Sequence, residues 1–284
     1  MNREKIAEYA GRIKMVAFDL DGTLLGPSSH VSKRTYAALE ACREAGISLV
    51  CASGRPFSAL SDEVLAIPGL CYAVTLNGVR IHELASGKDI YVRRISEKAV
   101  REVLSLTADW PVAREFYLDG KAFADADYVA DAGRYGADPS GADYVRRTRT
   151  PIVDMEEFLR THSGCIDSMS LSLSGGMPPA LDCCRAVQNV VSGVYVTSSV
   201  PRLVEIADAH AGKSTAVAYL LEREHLQAEK LAAFGDADND LGMIRLAGLG
   251  VAMMDGAQHL REAADLICPS NADDGVAQVL EGLL

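Results

Sequence analysis

Asp19 and Asp21 stand one residue apart in the stretch Met15-Val16-Ala17-Phe18-Asp19-Leu20-Asp21-Gly22-Thr23-Leu24-Leu25, directly after an apolar run that reads as a buried strand. Leu20 between them projects to the opposite face, so both acids can face one pocket. Two carboxylates this close repel each other in a water-excluded site unless a cation or a proton offsets them. A divalent metal is the expected partner. One carboxylate can attack phosphorus to give an aspartyl phosphate while its neighbour protonates the leaving oxygen and later activates water. Asp19 is the candidate nucleophile and Asp21 the candidate acid and base. Gly22 permits the sharp chain exit that such a loop needs.

Three further segments offer matching chemistry. Ser53-Gly54 follows the apolar run Ile47 to Ala52, where a hydroxyl and backbone N–H groups at a helix start could hold a phosphoryl oxygen; alone, such a pair after a strand is more often just a turn. Lys213, in Ala211-Gly212-Lys213-Ser214-Thr215, could neutralise charge that builds on a transferred phosphoryl group, or be a surface lysine at a helix start, where the dipole mildly disfavours it. Gly235-Asp236-Ala237-Asp238-Asn239-Asp240 gathers hard oxygen ligands suited to Mg²⁺, or is a solvated acidic turn that caps the next helix. With Asp19 in place the metal reading gains, because Asp19 and Asp236 would both lie at the carboxyl edge of one sheet. Asn77 is either a hairpin residue chosen for positive φ or a substrate contact. Arg55 is read as bracing the Ser53 loop.

The elements that must hold these residues alternate strand with helix. Val16 to Phe18, Ile47 to Ala52 and Tyr72 to Leu76 read as strands; Ser32 is a plausible N-cap for a helix to Ala45 that Gly46 ends, and another helix is expected after Pro56. Repeated β-α-β order implies a parallel sheet with right-handed crossovers. Asn77-Gly78, between Val74-Thr75-Leu76 and Val79-Arg80-Ile81, signals a hairpin. The same grammar returns near the C-terminus: helix Lys213 to Glu224, strand Leu231 to Phe234, helix Asn239 to Ala247, short strands Gly250 to Met253 and Leu266 to Cys268, a helix Ala257 to Ala264 between them, and a closing helix Asp274 to Leu283. Between them the texture changes. Strand candidates Val112 to Leu118, Asp167 to Leu173, Tyr195 to Thr197 and Leu203 to Ile206 alternate apolar and polar residues, as in an antiparallel sheet with one wet face. The expected architecture is a Rossmann-like, doubly wound α/β core of residues 1–83 and 209–284, with an α+β domain, residues 84–208, inserted into it.

A formal net charge of −11 over 284 residues argues against a nucleic-acid or anionic-membrane partner, which would want a basic face. Seven cysteines, an odd number scattered through apolar segments and without zinc spacing, read as buried small hydrophobes. The N-terminal residues lack the apolar stretch of a signal peptide, and no 18 apolar residues run together, so a reducing cytoplasm is the expected compartment.

The string from Val16 to Leu24 resembles the signature of the haloacid dehalogenase-like hydrolases, and Ser53, then Lys213, then Asp236 with Asn239 and Asp240 match that superfamily's remaining motifs in order. The long insert between the second and third motifs resembles the Cof-type sugar-phosphate phosphatases, which carry a large α/β cap; Thr75-Leu76-Asn77-Gly78, Val251-Ala252-Met253, Ala264-Asp265 and Asp274-Gly275-Val276-Ala277 resemble that subgroup too. The resemblance implies a mobile cap that sets specificity and Mg²⁺ held by Asp19, the backbone carbonyl of Asp21 and Asp236, with Asp240 joining directly or through water. It implies that Ser53, Gly54, Asn77, Lys213 and Asn239 contact or orient a small phosphorylated metabolite, with no nucleic acid, membrane or obligate protein partner. Two departures stand out: Ser214 replaces a common glycine, and Met253-Met254-Asp255-Gly256-Ala257 replaces a common Met-Gly-Asn-Ala. A phosphomutase would share the first half-reaction, and a non-catalytic phosphosugar sensor would not need all four charged groups. A nucleotide-binding P-loop at Gly212-Lys213-Ser214 wants a glycine where Ala207 stands, and leaves Asp19 and Asp21 idle. Arg114, Arg146, Arg147 and Arg149 could meet an acidic substrate or be solvated.

Overall fold

The computed structural model describes residues 3–284, and the chain divides into two compact units, one running up to Tyr91 and resuming at Gly212–Leu284, the other spanning Val92–Ala211. In chain order the strands are β1 (Met15–Phe18), β2 (Ser48–Ala52), β3 (Leu70–Thr75), β4 (Arg80–Glu83) and β5 (Lys88–Val92); then β6 (Val112–Leu118), β7 (Lys121–Asp125), β8 (Arg149–Ile152), β9 (Ser168–Leu173), β10 (Val194–Thr197) and β11 (Leu203–Asp208); then β12 (Leu231–Gly235), β13 (Leu249–Met253) and β14 (Leu266–Cys268).

The first unit is built on an eight-stranded sheet in the order β14-β13-β12-β1-β2-β3-β4-β5. It is parallel from β14 to β3, and β4 turns back antiparallel on β3. Strands β1 to β3 step outward one way and β12 to β14 the other, so β1 and β12, paired Phe18 to Phe234, flank the point where strand order reverses. That crevice, at the carboxyl ends of the strands, is where open α/β sheets place ligands. Alternate residues feed two cores. Val16, Phe18, Leu49, Cys51, Phe234 and Val251 pack with helices Lys33–Glu44 and Gly275–Leu283 on one face. Met15, Ala17, Val50, Ala52 and Ala233 pack with helices Lys213–Arg223 and Leu241–Leu246 on the other. Both faces being covered, the central strands β1, β12 and β13 are buried end to end.

The expected helix to Ala45 is Lys33–Glu44, its Thr35 N–H donating to the Ser32 hydroxyl at 3.0 Å and Gly46 following at φ +71°. The helix expected after Pro56 does not form as one. A 3₁₀ turn, Phe57–Ala59, gives way to extended Leu60 and Ser61, and Ser61 caps only the four-residue helix Asp62–Leu65. The hairpin at Asn77-Gly78 exists, with Thr75 opposite Arg80, but its loop is four residues, Leu76 to Val79, rather than two. Three successive positive φ values, +50° at Leu76, +55° at Asn77 and +94° at Gly78, are held by contacts described below.

The second unit holds a six-stranded sheet, β10-β11-β9-β6-β7-β8, antiparallel except where β7 and β8 run parallel. Helices Glu97–Leu106, Met155–His162 and Ala180–Val190 cover one face with an apolar core around Phe116, Met169, Leu171 and Val204. The alternation expected of these strands is present, yet the second face is not wet along β6 and β9: Glu115, Ser168, Ser170 and Ser172 are all buried. Glu115 there is paired by Ser172 and Arg149. Arg149 Nε donates to Glu115 Oε2 at 2.7 Å, Ser172 Oγ donates to Glu115 Oε1 at 3.2 Å, and the Arg149 guanidinium lies over the Tyr117 and Tyr144 rings. Burial of a charge at this depth demands such partners. Arg149 is therefore committed to Glu115, while Arg146 and Arg147 reach Asp143 at the surface.

Candidate active site

Asp19 follows β1 directly, and its N–H donates to the Phe234 carbonyl at 3.1 Å, so the start of the acidic loop is stitched to β12. The side chain is buried. Lys213 begins helix Lys213–Arg223 and is itself almost wholly buried, its ammonium donating to Asp19 Oδ1 at 2.6 Å and to Asp240 Oδ1 at 2.7 Å. The surface-lysine reading is thereby excluded. Asp240 is held in turn by the N–H groups of Asp236 (3.0 Å) and Ala237 (3.1 Å), which donate to its Oδ2. Asp236 Oδ1 accepts from the Thr23 hydroxyl at 2.9 Å. The acidic run after β12 is therefore a structured turn in which one carboxylate, Asp240, ties backbone to ammonium and another, Asp236, faces the first loop.

Asp19, Asp236 and Asp240 each present an oxygen within 4.8 Å of the others. Lys213 is the cation hydrogen-bonded to two of these three acids. Burial, reinforced by Asp240 and Asp236, pushes the Asp19 carboxyl well above its ordinary range against the pull of Lys213. Burial and Asp240 likewise raise Asp236 to about 6. Burial works against the Lys213 charge, but Asp19 and Asp240 outweigh it and hold the ammonium above the usual lysine range. Three carboxylates with one ammonium leave a charge deficit that a second cation would relieve, and these all-oxygen donors suit a hard divalent ion. Asp240 has both oxygens engaged, whereas Asp19 and Asp236 each have one oxygen in the hydrogen bonds just described and a second that can face a cation. Gly22 allows the approach of the two loops: at φ +84°, a Cβ there would sit 2.5 Å from Asp236 Oδ2.

The Asp21 carboxylate does not join this cluster. It is half exposed and accepts a two-pronged contact from Arg55, Nε to Oδ2 at 2.7 Å and Nη2 to Oδ1 at 2.5 Å. Ser53 is buried at the end of β2; its N–H donates to Val74, its carbonyl accepts from the Asn77 N–H, and its hydroxyl accepts from the Arg55 N–H at 3.1 Å. Gly54 lies partly buried between Ser53 and Arg55. Asn77 takes the conformation of its hairpin reading. It adopts a left-handed conformation and is also wired to the acidic turn, Asn239 Nδ2 donating to Asn77 Oδ1 at 2.9 Å. Asn239 Oδ1 is buried and meets no hydrogen-bond partner among the described residues. Gly78 fits because its backbone passes against Gly212, where a Cβ would lie 2.1 Å from the Gly212 carbonyl oxygen.

Four separated segments thus converge: the Asp19 loop, the Ser53 turn with Asn77, the Lys213 helix start and the Asp236–Asp240 turn. The sequence reading overlooked Thr23, whose hydroxyl joins the first and last of them, and the grip of Arg55 on Asp21. Thr23 carries a faint signal as a hydroxyl two residues past Asp21. For Arg55 no spacing rule reveals a partner 34 residues away.

The haloacid dehalogenase-like hydrolase family matches residues 16–280. Phosphatase YwpJ of Bacillus subtilis is 26% identical over 298 residues, covering 96% of this chain and all of that protein. YwtE of the same organism, a 5-amino-6-(5-phospho-D-ribitylamino)uracil phosphatase, is 25% identical over 300 residues, covering 96% of this chain and 98% of its own. A sugar phosphatase of haloacid dehalogenase subclass IIB shares the fold with a TM-score of 0.80 at 20% identity, over 95% of this chain and its entire own length. Because the family match runs through both units and every segment of the site, the chain belongs to the haloacid dehalogenase-like hydrolases, and within them it is a phosphatase, a phosphoric monoester hydrolase.

Proposed function

We propose that this phosphatase hydrolyses small phosphorylated metabolites of the sugar-phosphate class through a phosphoryl group carried on Asp19. The observation that carries the reading is the buried Asp19 carboxylate, held by Lys213 at 2.6 Å at the start of the loop that also carries Asp21. In the first step a carboxylate oxygen of Asp19 bonds to phosphorus as the ester P–O bond breaks, and Asp21 passes a proton to the leaving oxygen. In the second, Asp21 takes a proton from water as its oxygen bonds to phosphorus and Asp19 is released. Lys213 meets the charge that builds on the phosphoryl oxygens, and the Ser53 hydroxyl with the Gly54 backbone orients them. Asn77 and Asn239 hold the phosphate-side loops.

Asp19, Asp236 and the backbone carbonyl of Asp21, with Asp240 directly or through water, would hold Mg²⁺, which supplies further neutralisation of phosphoryl charge when bound. The sugar-phosphate class is supported by what YwtE and the subclass IIB neighbour act on, a phosphorylated ribityl compound and sugar phosphates. Selection among such substrates is assigned to the unit Val92–Ala211. A reducing, cytoplasmic setting fits seven cysteines without a disulfide among them. Among the described residues no helix is long and apolar enough to cross a membrane.

The test is Asp19→Asn, which keeps the shape of the side chain and removes the nucleophile. Turnover falls to background while the circular dichroism and melting temperature stay close to wild type. In the wild-type enzyme, acid quench with ³²P-labelled substrate traps protein-bound phosphate on Asp19. Substantial release of inorganic phosphate by the variant overturns the nucleophile assignment. Transfer to an added sugar in place of water would mark a phosphomutase.

A further inference from the structure

We propose that Arg55 is the positioning residue for Asp21, setting where that carboxylate stands for both proton transfers; the inference rests on Asp21 being the acid and base.

The Asp21 side chain is about half exposed, with a side-chain relative accessibility of 51%, and stands directly before a left-handed Gly22. Left to itself, so short and solvated a group would sample several rotamers. Arg55 removes that freedom. Its fork closes on both oxygens of Asp21, the planar geometry for which arginine is suited and lysine is not. The fork is itself anchored: Nη1 donates to the Ala59 carbonyl at 3.4 Å, the Arg55 N–H donates to the Ser53 hydroxyl, and the Arg55 carbonyl accepts from the Leu76 N–H at 3.1 Å. The guanidinium therefore hangs from a loop that also carries Ser53 and leads into the Asn77 turn. One side chain couples the place of the proton-transfer group to the place of the phosphate-side hydroxyl. Asp21 has no comparable tether to the buried acids, whose cluster it does not join.

A residue that acts through the general acid reveals itself by leaving-group dependence. Phenyl phosphate and p-nitrophenyl phosphate have nearly the same shape, but phenolate is the poorer leaving group and needs its proton more. General acid–base groups contribute about 10²- to 10⁴-fold in rate, so loosening Asp21 lowers kcat/KM, which reads only the steps up to departure of the leaving group, by about tenfold or more on phenyl phosphate and by less than about threefold on p-nitrophenyl phosphate, while the shared second step lowers kcat on both. Arg55→Ala gives this pattern. Arg55→Lys, which keeps the charge and loses the fork, stays impaired on phenyl phosphate and serves as the measurement if the alanine variant folds poorly. In an Asp21→Asn background, Arg55→Ala adds nothing, because the group it positions no longer transfers protons. An equal loss of kcat/KM on both esters, or a further loss in the Asp21→Asn background, overturns the inference and makes Arg55 a substrate contact or a loop brace. If Asp21→Asn alone leaves the ratio of the two esters unchanged, the acid assignment of Asp21 itself is what fails.

Discussion

Replacing Lys213 by methionine isolates the electrostatics of the buried site, because it keeps most of the volume and removes the ammonium that contacts Asp19 and Asp240. Both contacts, at 2.6 and 2.7 Å, lie among side chains with almost no solvent access. Removing one partner of such a buried pair typically costs about 3–5 kcal/mol, since the remaining charges lose their compensation. The carboxylates recover part of that by binding protons. Their folded-state pKa values already stand above the unfolded range, and loss of the ammonium raises them further. A group raised on folding favours the folded state at low pH and loses that contribution as the pH rises through the folded value. The deficit of Lys213→Met is thus full only above the variant's own carboxyl values, which lie above the value of about 6 already reached by Asp236 beside the ammonium, and shrinks as the pH falls through them. Because two units need not unfold together, the assay is hydrogen exchange at the amides of β1 and β12, in EDTA, at neutral and acidic pH. Trp110, the sole tryptophan, lies in the other unit, so its fluorescence in urea is an internal control that should not move. Turnover falls by about 10²-fold or more, the usual loss when a donor to developing charge is removed. Unchanged exchange protection in β1 and β12 at neutral pH, or a deficit that grows on acidification, refutes the reasoning.

Asp236→Ala weakens Mg²⁺ binding and activation by at least about tenfold, read by calorimetric titration and by rate against Mg²⁺ concentration, and an unchanged Mg²⁺ dependence would show the metal site to be misplaced. In the wild type, saturating Mg²⁺ raises the melting temperature, and the rise diminishes below about pH 6, where protons compete for Asp236. Gly78→Ala places a methyl 2.1 Å from the Gly212 carbonyl oxygen at φ +94°, and is expected to destabilise the first unit by about 2 kcal/mol or more, read by the same exchange experiment. Arg149→Leu strands the buried Glu115 and lowers the stability of the second unit by about 3–5 kcal/mol in a Trp110-monitored urea melt, whereas Arg149→Leu with Glu115→Met recovers most of the loss; an equal loss in both variants would show that packing rather than charge is at stake.

Sequence alone determined what depends on local pattern and on composition. Periodicity and caps set the alternating strands and helices, as at Ser32 and Gly46, because those signals act within a turn or two of chain. The spacing of Asp19 and Asp21, and the acidic run after Phe234, named a phosphoryl-transfer chemistry, since few residue sets serve it. Local pattern failed where long-range contacts overrode it. The Pro56 helix broke at Ser61, the Asn77 loop lengthened around its bonds to Ser53 and Asn239, and the polar face of β6 and β9 closed over Glu115 and Arg149. Only the tertiary structure decided which charges meet. Lys213 and Asp19 are 194 residues apart in the chain and 2.6 Å apart in space, because β1 and β12 are neighbours at the reversal of strand order. Likewise no spacing could say that Asp21 turns away from its neighbour Asp19 to Arg55, for that choice is made by a loop anchored on other strands.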